Sequence, residues 1–161
     1  MSLPFRRILC PIDFGDNSLE ALDTAATVVR ENDGMLFVLH VVPMVLPPTG
    51  MPSYVNIYTD EEEGAKHRLT EIAYQRLVGL KYELLTRLGD PARGIVDCAN
   101  MTAADLLVMG THGRRRLSRV LLGSVAEFVV RKAGCPVLVI RHPNEKKKID
   151  RSRGHAQSGG R

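Results

Sequence analysis

The chain has 161 residues, a hydrophobic fraction of 44%, a charged fraction of 25% and a net charge of +4, which fits one globular domain with an ordinary core. The excess charge sits at one end: residues 144–161 carry six basic and two acidic side chains, and the first 143 residues carry 16 of each. A neutral body excludes a polyanion-binding surface spread over the whole domain, and no apolar run nears the roughly 20 residues that span a bilayer.

Arg6-Arg7 is followed only by Ile8-Leu9-Cys10 before Pro11. That is too short an apolar stretch for a secretory signal, so the cytoplasm is the expected compartment. The run Arg7 to Ile12 reads as a first strand ending at Asp13. Leu19, Leu22, Ala25, Ala26 and Val29 then fall on one helical face, with Asp16, Asn17 or Ser18 able to cap it. Asp33-Gly34 marks a turn, and Met35 to Val42 is a nearly continuous apolar run, the second strand. Strands apolar on both faces suit a parallel sheet covered by helices on each side.

Pro43 to Thr59 reads as a long irregular loop, with prolines at 43, 47, 48 and 52. After Asp60-Glu61-Glu62-Glu63 comes a helix with Ala65, Leu69, Ile72, Ala73 and Leu77 on one face, its acidic start suiting the helix dipole. Lys81 to Leu88 is a third strand nearer an edge. Gly89-Asp90-Pro91 turns the chain, with Pro91 at a first helical position, and Ile95, Cys98 and Ala99 face inward. Leu106 to Met109 is the fourth strand. A helix follows Ser124 and ends near Gly134, and Val137 to Ile140 is the fifth strand. The three cysteines, Cys10, Cys98 and Cys135, are not spaced as a metal set or a redox pair and read as reduced thiols.

Five strands alternating with helices predict an α/β fold: a single-domain, doubly wound, five-stranded parallel sheet, Rossmann-like, in the order 3-2-1-4-5. The domain spans residues 1–142. Residues 143–161, basic and poor in large apolar groups, read as a disordered tail. In such a sheet ligands bind beyond the carboxyl ends of the strands, where the strand order reverses. Asp13 and Gly110 then converge on one crevice.

Residues 110–124 read Gly-Thr-His-Gly-Arg-Arg-Arg-Leu-Ser-Arg-Val-Leu-Leu-Gly-Ser. A glycine-rich turn between a strand and a helix lets backbone N–H groups and the helix N-terminus meet an anion. It is not a P-loop, because no Gly-Lys-Ser/Thr occurs. Nor does a dinucleotide fingerprint follow the first strand, where Pro11-Ile12-Asp13-Phe14-Gly15 stands. The spacing Gly110-x2-Gly113-x9-Gly123-Ser124 instead resembles the nucleotide-binding signature of the universal stress protein family. Ile8 to Asp13, Leu39-His40-Val41-Val42, Gly89-Asp90-Pro91 and Cys135 to Ile140 are similar to it too, so the likeness covers residues 5–142.

The resemblance implies the ATP-binding branch of that family and assigns roles. Pro11, Ile12, Asp13 and Val41 would line the adenine and ribose pocket. Gly110, Thr111, His112 and Gly113, with Arg114 beyond, would wrap the ribose and phosphates. Gly123, Ser124 and Val125 would hold phosphates at the helix start. The residues themselves agree: Val41 and Met109 are apolar contacts for a flat base, Ser124 can donate to a phosphate oxygen, and Arg114 can neutralise charge.

The expected function is a stress-response or signalling module that switches with ATP occupancy. Mg2+ or Mn2+ could be held through the phosphates. With no catalytic set beside the loop, the chain is read as a binding module rather than an enzyme. A slow ATP hydrolase, or a protein phosphorylating itself at Ser118 or Ser124, is the alternative, and nucleic-acid binding through the basic tail is weaker still. The short apolar fifth strand, Val137 to Ile140, together with the family likeness, suggests a homodimer.

Overall fold

The computed structural model describes residues 5–44, 54–111 and 122–141, with backbone alone over 54–57. The elements are β1 (Arg7–Pro11), α1 (Asp16–Asn32), β2 (Met35–Pro43), α2 (Tyr54–Arg76), β3 (Lys81–Gly89), α3 (Pro91–Met101), β4 (Leu106–Gly110), α4 (Ser124–Lys132) and β5 (Val137–Ile140). Every strand pairing is parallel, and the sheet order is β3-β2-β1-β4-β5. The predicted fold and strand order are those observed. The strand order reverses beside β1, whose two neighbours are β2 and β4; Ile8 pairs with Leu36 on one side and with Leu106 on the other.

Alternate residues of the central strands feed two cores. Ile8, Cys10, Ile12, Leu36, Val38, Leu106 and Val108 face α1 and α2, where they meet Leu22, Val29, Leu69 and Leu77. Leu9, Phe37, Leu39, Val41, Leu107 and Met109 face α3 and α4, where they meet Ile95, Cys98, Ala126 and Val129. Both faces of β1, β2 and β4 are therefore dry, which is why their sequences run apolar without alternation. The basic and acidic residues of β3, Lys81, Glu83 and Arg87, mark it as an edge.

Two expectations need correction. The irregular stretch after β2 is shorter than its composition suggests: Pro43 ends β2, and residues 54–59 already belong to α2. Tyr54 to Thr59 are mostly β-branched, aromatic or Asn, poor helix formers, but a helix anchored through Ala65, Leu69 and Ala73 extends at little cost per residue once nucleated. Asp60 to Glu63 consequently lie inside α2 rather than in its first turn. They act through pairs instead: Thr86 Oγ1 donates to Glu62 at 2.9 Å, and Lys66 bridges Glu62 and Glu63.

The second correction concerns α1. None of Asp16, Asn17 or Ser18 is its N-cap; that position is Gly15, which makes no side-chain cap bond. The turn before it is closed on itself, as described below. By contrast α3 starts as expected, with Pro91 in its first turn and the Asp90 side chain accepting from the Arg93 N–H at 2.8 Å. The segment 112–121 and everything after Arg141, including the predicted tail, lie outside the described residues. Among the described residues no helix is long and apolar enough to cross a membrane.

Candidate functional site

A cavity of about 1000 Å³ opens at the carboxyl ends of β1, β2 and β4. It begins with the turn from β1 into α1. Ile12 N–H donates to Leu39 O at 2.8 Å, so the chain follows β2 one residue past β1. Asp13 then accepts the Gly15 N–H at Oδ1 (2.9 Å). Its own N–H donates to Ser18 Oγ (3.2 Å), and that hydroxyl donates to Gly15 O (2.9 Å). This ring of short bonds satisfies the turn locally and holds the Asp13 carboxylate at the cavity wall.

Phe14, next in the chain, has φ of 65°, the left-handed region that a bulky residue enters only at a cost of about 1–3 kcal/mol. That backbone brings its ring 4.4 Å from the His40 ring and under the Arg68 guanidinium at 4.1 Å. His40 Nδ1 lies 2.8 Å from Ile12 O. A carbonyl only accepts, so Nδ1 is the donor and the ring's tautomer is set.

The opposite wall is apolar. Leu39 and Val41 of β2, Ile95 of α3, Met109 of β4 and Ala126 of α4 belong to the second core and also line the cavity, so it is an extension of that core left open to ligand.

The third side is the passage from β4 to α4. A Cβ on Gly110 would lie 3.0 Å from the backbone of Asn17, tighter than nearly all real contacts, so a side chain there would press β4 away from the start of α1. Thr111 N–H donates to Ile140 O (3.0 Å), and Thr111 O accepts from Gly123 N–H (2.8 Å). The two ends of the 112–122 segment are thereby clamped together. Gly123 is the N-cap of α4 and no side chain caps the helix. The first-turn N–H groups at Ser124, Val125 and Ala126 have no intrahelical acceptor, and these residues line the cavity. Glu127, in the same turn, is paired with Arg131 at 2.6 Å.

The structure thus gathers Pro11, Ile12, Asp13, Val41, Met109, Gly110, Thr111, Gly123, Ser124 and Val125 around one cavity. His112, Gly113 and Arg114 lie outside the described residues, as does Ser118. Sequence reading missed Phe14, His40 and the α2 residues Glu61, Gly64, Ala65 and Arg68. The spacing of the last four, i, i+3, i+4 and i+7, is one helical face; Gly64, Ala65 and Arg68 already lay on the predicted helix, but nothing in the spacing tells what that face meets. Cys10 is buried in the first core. Burial, reinforced by the charge of Asp23, pushes its thiol pKa far up, so it offers no nucleophile. Among the described residues no group of three or more His, Cys, Asp or Glu side chains is gathered to hold a metal.

Comparison with known proteins places this geometry. The sequence profile of the Universal stress protein family matches residues 4–141. Universal stress protein MJ0531 of Methanocaldococcus jannaschii is 37% identical over 147 residues, covering 88% of this chain and 85% of that one. The solved structure of MJ0577 from the same organism superposes with a TM-score of 0.72 at 28% identity, over 88% of this chain and 99% of that one. A universal stress protein solved in complex with cAMP superposes with a TM-score of 0.58 at 25% identity, over 86% and 98%.

Proposed function

The chain belongs to the universal stress protein family, and from that premise we propose that it holds an adenine nucleotide, ATP foremost, in the cavity at the strand ends and works as a nucleotide-dependent switch. The observation that carries the reading is the union of three features in one cavity: the apolar wall of Val41, Ile95 and Met109, the Asp13 carboxylate, and the uncapped first turn of α4 at Ser124. A flat base needs the first, ribose hydroxyls can donate to the second, and a phosphate accepts from the third. The relative in complex with cAMP supports an adenine ligand for this fold.

In this reading Pro11, Ile12, Asp13, Val41 and Met109 form the base and ribose side, and Gly110, Thr111, Gly123, Ser124 and Val125 the phosphate side. His112, Gly113 and Arg114 keep the roles assigned by the family signature. Mg2+ or Mn2+ would arrive with the phosphates. Binding without turnover is part of this reading, supported among the described residues by two carboxylates that already have partners, Asp13 with Gly15 N–H and Glu127 with Arg131. Asp13 is therefore assigned to positioning rather than to activating water.

Mass spectrometry of ligand released from the purified chain, with calorimetric titration of ATP-Mg, tests this. An adenine nucleotide released on denaturation, or saturable ATP binding, is the expected result. Ligand-free protein with no heat and no thermal shift on adding ATP-Mg overturns it. Labelled ATP yielding neither free phosphate nor labelled protein is the outcome expected of a binding module.

The homodimer is proposed through β5, an edge strand whose four residues, Val137 to Ile140, carry no charge. Leu138 stands exposed on it. Sedimentation of Leu138→Lys against the unmodified chain should show a shift towards monomer, and an unmodified chain that is already monomeric at micromolar concentration refutes the pairing.

A further inference from the structure

We propose that Arg68, held by Phe14, forms a phosphate-binding wall of the cavity on the α1 and α2 side, separate from the start of α4. The inference deepens the nucleotide reading above and rests on it only for the source of the phosphate. Four residues of α2, Glu61, Gly64, Ala65 and Arg68, turn one face to the cavity. Ala65 is buried and Gly64 has no side chain. A Cβ at Gly64 would meet nothing within 4 Å, so the middle of this wall is low and open between two long charged side chains.

The charges at the cavity are unequal. Among the described lining residues the carboxylates are Asp13, Glu61 and Glu127, and Arg68 is the one permanent cation. Glu127 is neutralised by Arg131. Among the described residues Arg68 forms no ion pair and donates no hydrogen bond; its contact is the face of the Phe14 ring at 4.1 Å. That contact places the guanidinium carbon over the ring. Its five N–H donors make no hydrogen bond among the described residues, which leaves a pair for two oxygens of one phosphate, the geometry in which arginine binds that group best. Stacking also restricts a long side chain beforehand, which reduces the entropy lost on binding.

The position of Phe14 fits this role. A phenylalanine at φ of 65° is strained, and its ring is where Arg68 rests and where His40 packs. His40 in turn is bonded to Ile12 O, one residue before Asp13. The guanidinium is thus tied through two rings to the same turn that carries Asp13, and its place relative to Asp13 is set by that turn.

The phosphate has two possible sources, the nucleotide's own chain or a free phosphate ion beside the nucleotide, and one experiment separates them. The full chain, Arg68→Gln and Arg68→Lys are titrated calorimetrically with ATP-Mg, ADP, AMP, adenosine and inorganic phosphate, after unfolding midpoints confirm that the variants fold. If the source is the nucleotide, Arg68→Gln weakens ATP about tenfold. The loss shrinks towards AMP, adenosine is unchanged, and Arg68→Lys recovers part of the affinity. If the source is the free ion, ATP binding is unchanged while Arg68→Gln abolishes phosphate binding.

Two outcomes overturn the proposal: Arg68→Gln matching the unmodified chain for both ATP and phosphate, or weakening adenosine as much as ATP. An unmodified chain that binds no adenine ligand overturns the nucleotide reading instead, and the phosphate titration then decides this one. Phosphate bound by the unmodified chain and lost in Arg68→Gln sustains it; no phosphate binding at all overturns both.

Discussion

The two walls of the cavity are built on different physical terms. On the α3 and α4 side, Val41, Ile95, Met109 and Ala126 are members of the core that holds the sheet to its helices. On the α1 and α2 side, Arg68 and Glu61 are exposed, and Phe14 is held by a strained turn and ring contacts. The first wall cannot be altered without loosening the fold, because the same methyl groups serve both. On the second, the exposed charges can vary with little effect on stability, because surface charges contribute little to it, while Ile12, Ala65 and Phe14 beside them are buried or packed on the core. The cavity therefore has an apolar side constrained by folding and a charged side that folding leaves freer to vary.

Substitutions at graded distances from the cavity sharpen that contrast. Leu107→Ala, in the fully buried middle of β4, should lower the unfolding free energy by about 2–5 kcal/mol in urea titrations. A cost near zero would show that the α3 and α4 core is loosely packed. Gly110→Val should cost about 1–3 kcal/mol and abolish nucleotide binding, since the added atoms meet the Asn17 backbone. Full stability in that variant would mean that β4 and α1 can separate, removing the reason for glycine there.

Asp90→Ala, which removes the cap of α3 beside the cavity-lining Pro91, should cost about 1 kcal/mol in the same titrations. Arg68→Gln should move the unfolding free energy by less than about 0.5 kcal/mol despite its effect on binding. A large loss of stability there would make Arg68 a structural residue and erase the difference between the walls.

The last effect is confined to alkaline pH. Burial raises the Cys10 pKa in the folded chain above the thiol's ordinary 9.0, so the folded state keeps its proton after the unfolded chain has lost it. Stability from this group is full below pH 9.0 and falls as pH rises above it. The unfolding free energy of the unmodified chain minus that of Cys10→Ala should therefore be flat up to about pH 8 and decline beyond 9. A difference that stays flat through this range would mean that the thiol ionises as readily in the fold as in the unfolded chain.

Much of the frame was legible because burial leaves a pattern in the sequence. The unbroken apolar runs of β1, β2 and β4 announce strands covered on both faces, and Asp90-Pro91 announces a helix start. The ends of these strands, together with the glycines at 110 and 123, marked one half of the cavity. The other half was not legible. Arg68 and Glu61 look like any charged residues on a helix, and the start of α2 was obscured by β-branched and aromatic residues that form helix only because Ala65, Leu69 and Ala73 anchor it. Phe14 carries no sign in the sequence of a left-handed backbone, since its conformation is imposed by the hydrogen-bonded turn around Asp13.

What the sequence determined by itself was therefore the set of elements, their parallel order and the glycine-bearing side of the cavity. Hydrophobic periodicity and glycine spacing are local properties and can be counted along the chain. Which side chains meet across the cavity was decided only by the tertiary structure. The contact of Arg68 with Phe14 joins residues 54 positions apart in sequence through a turn, a strand and a helix, each of which had to be in place first.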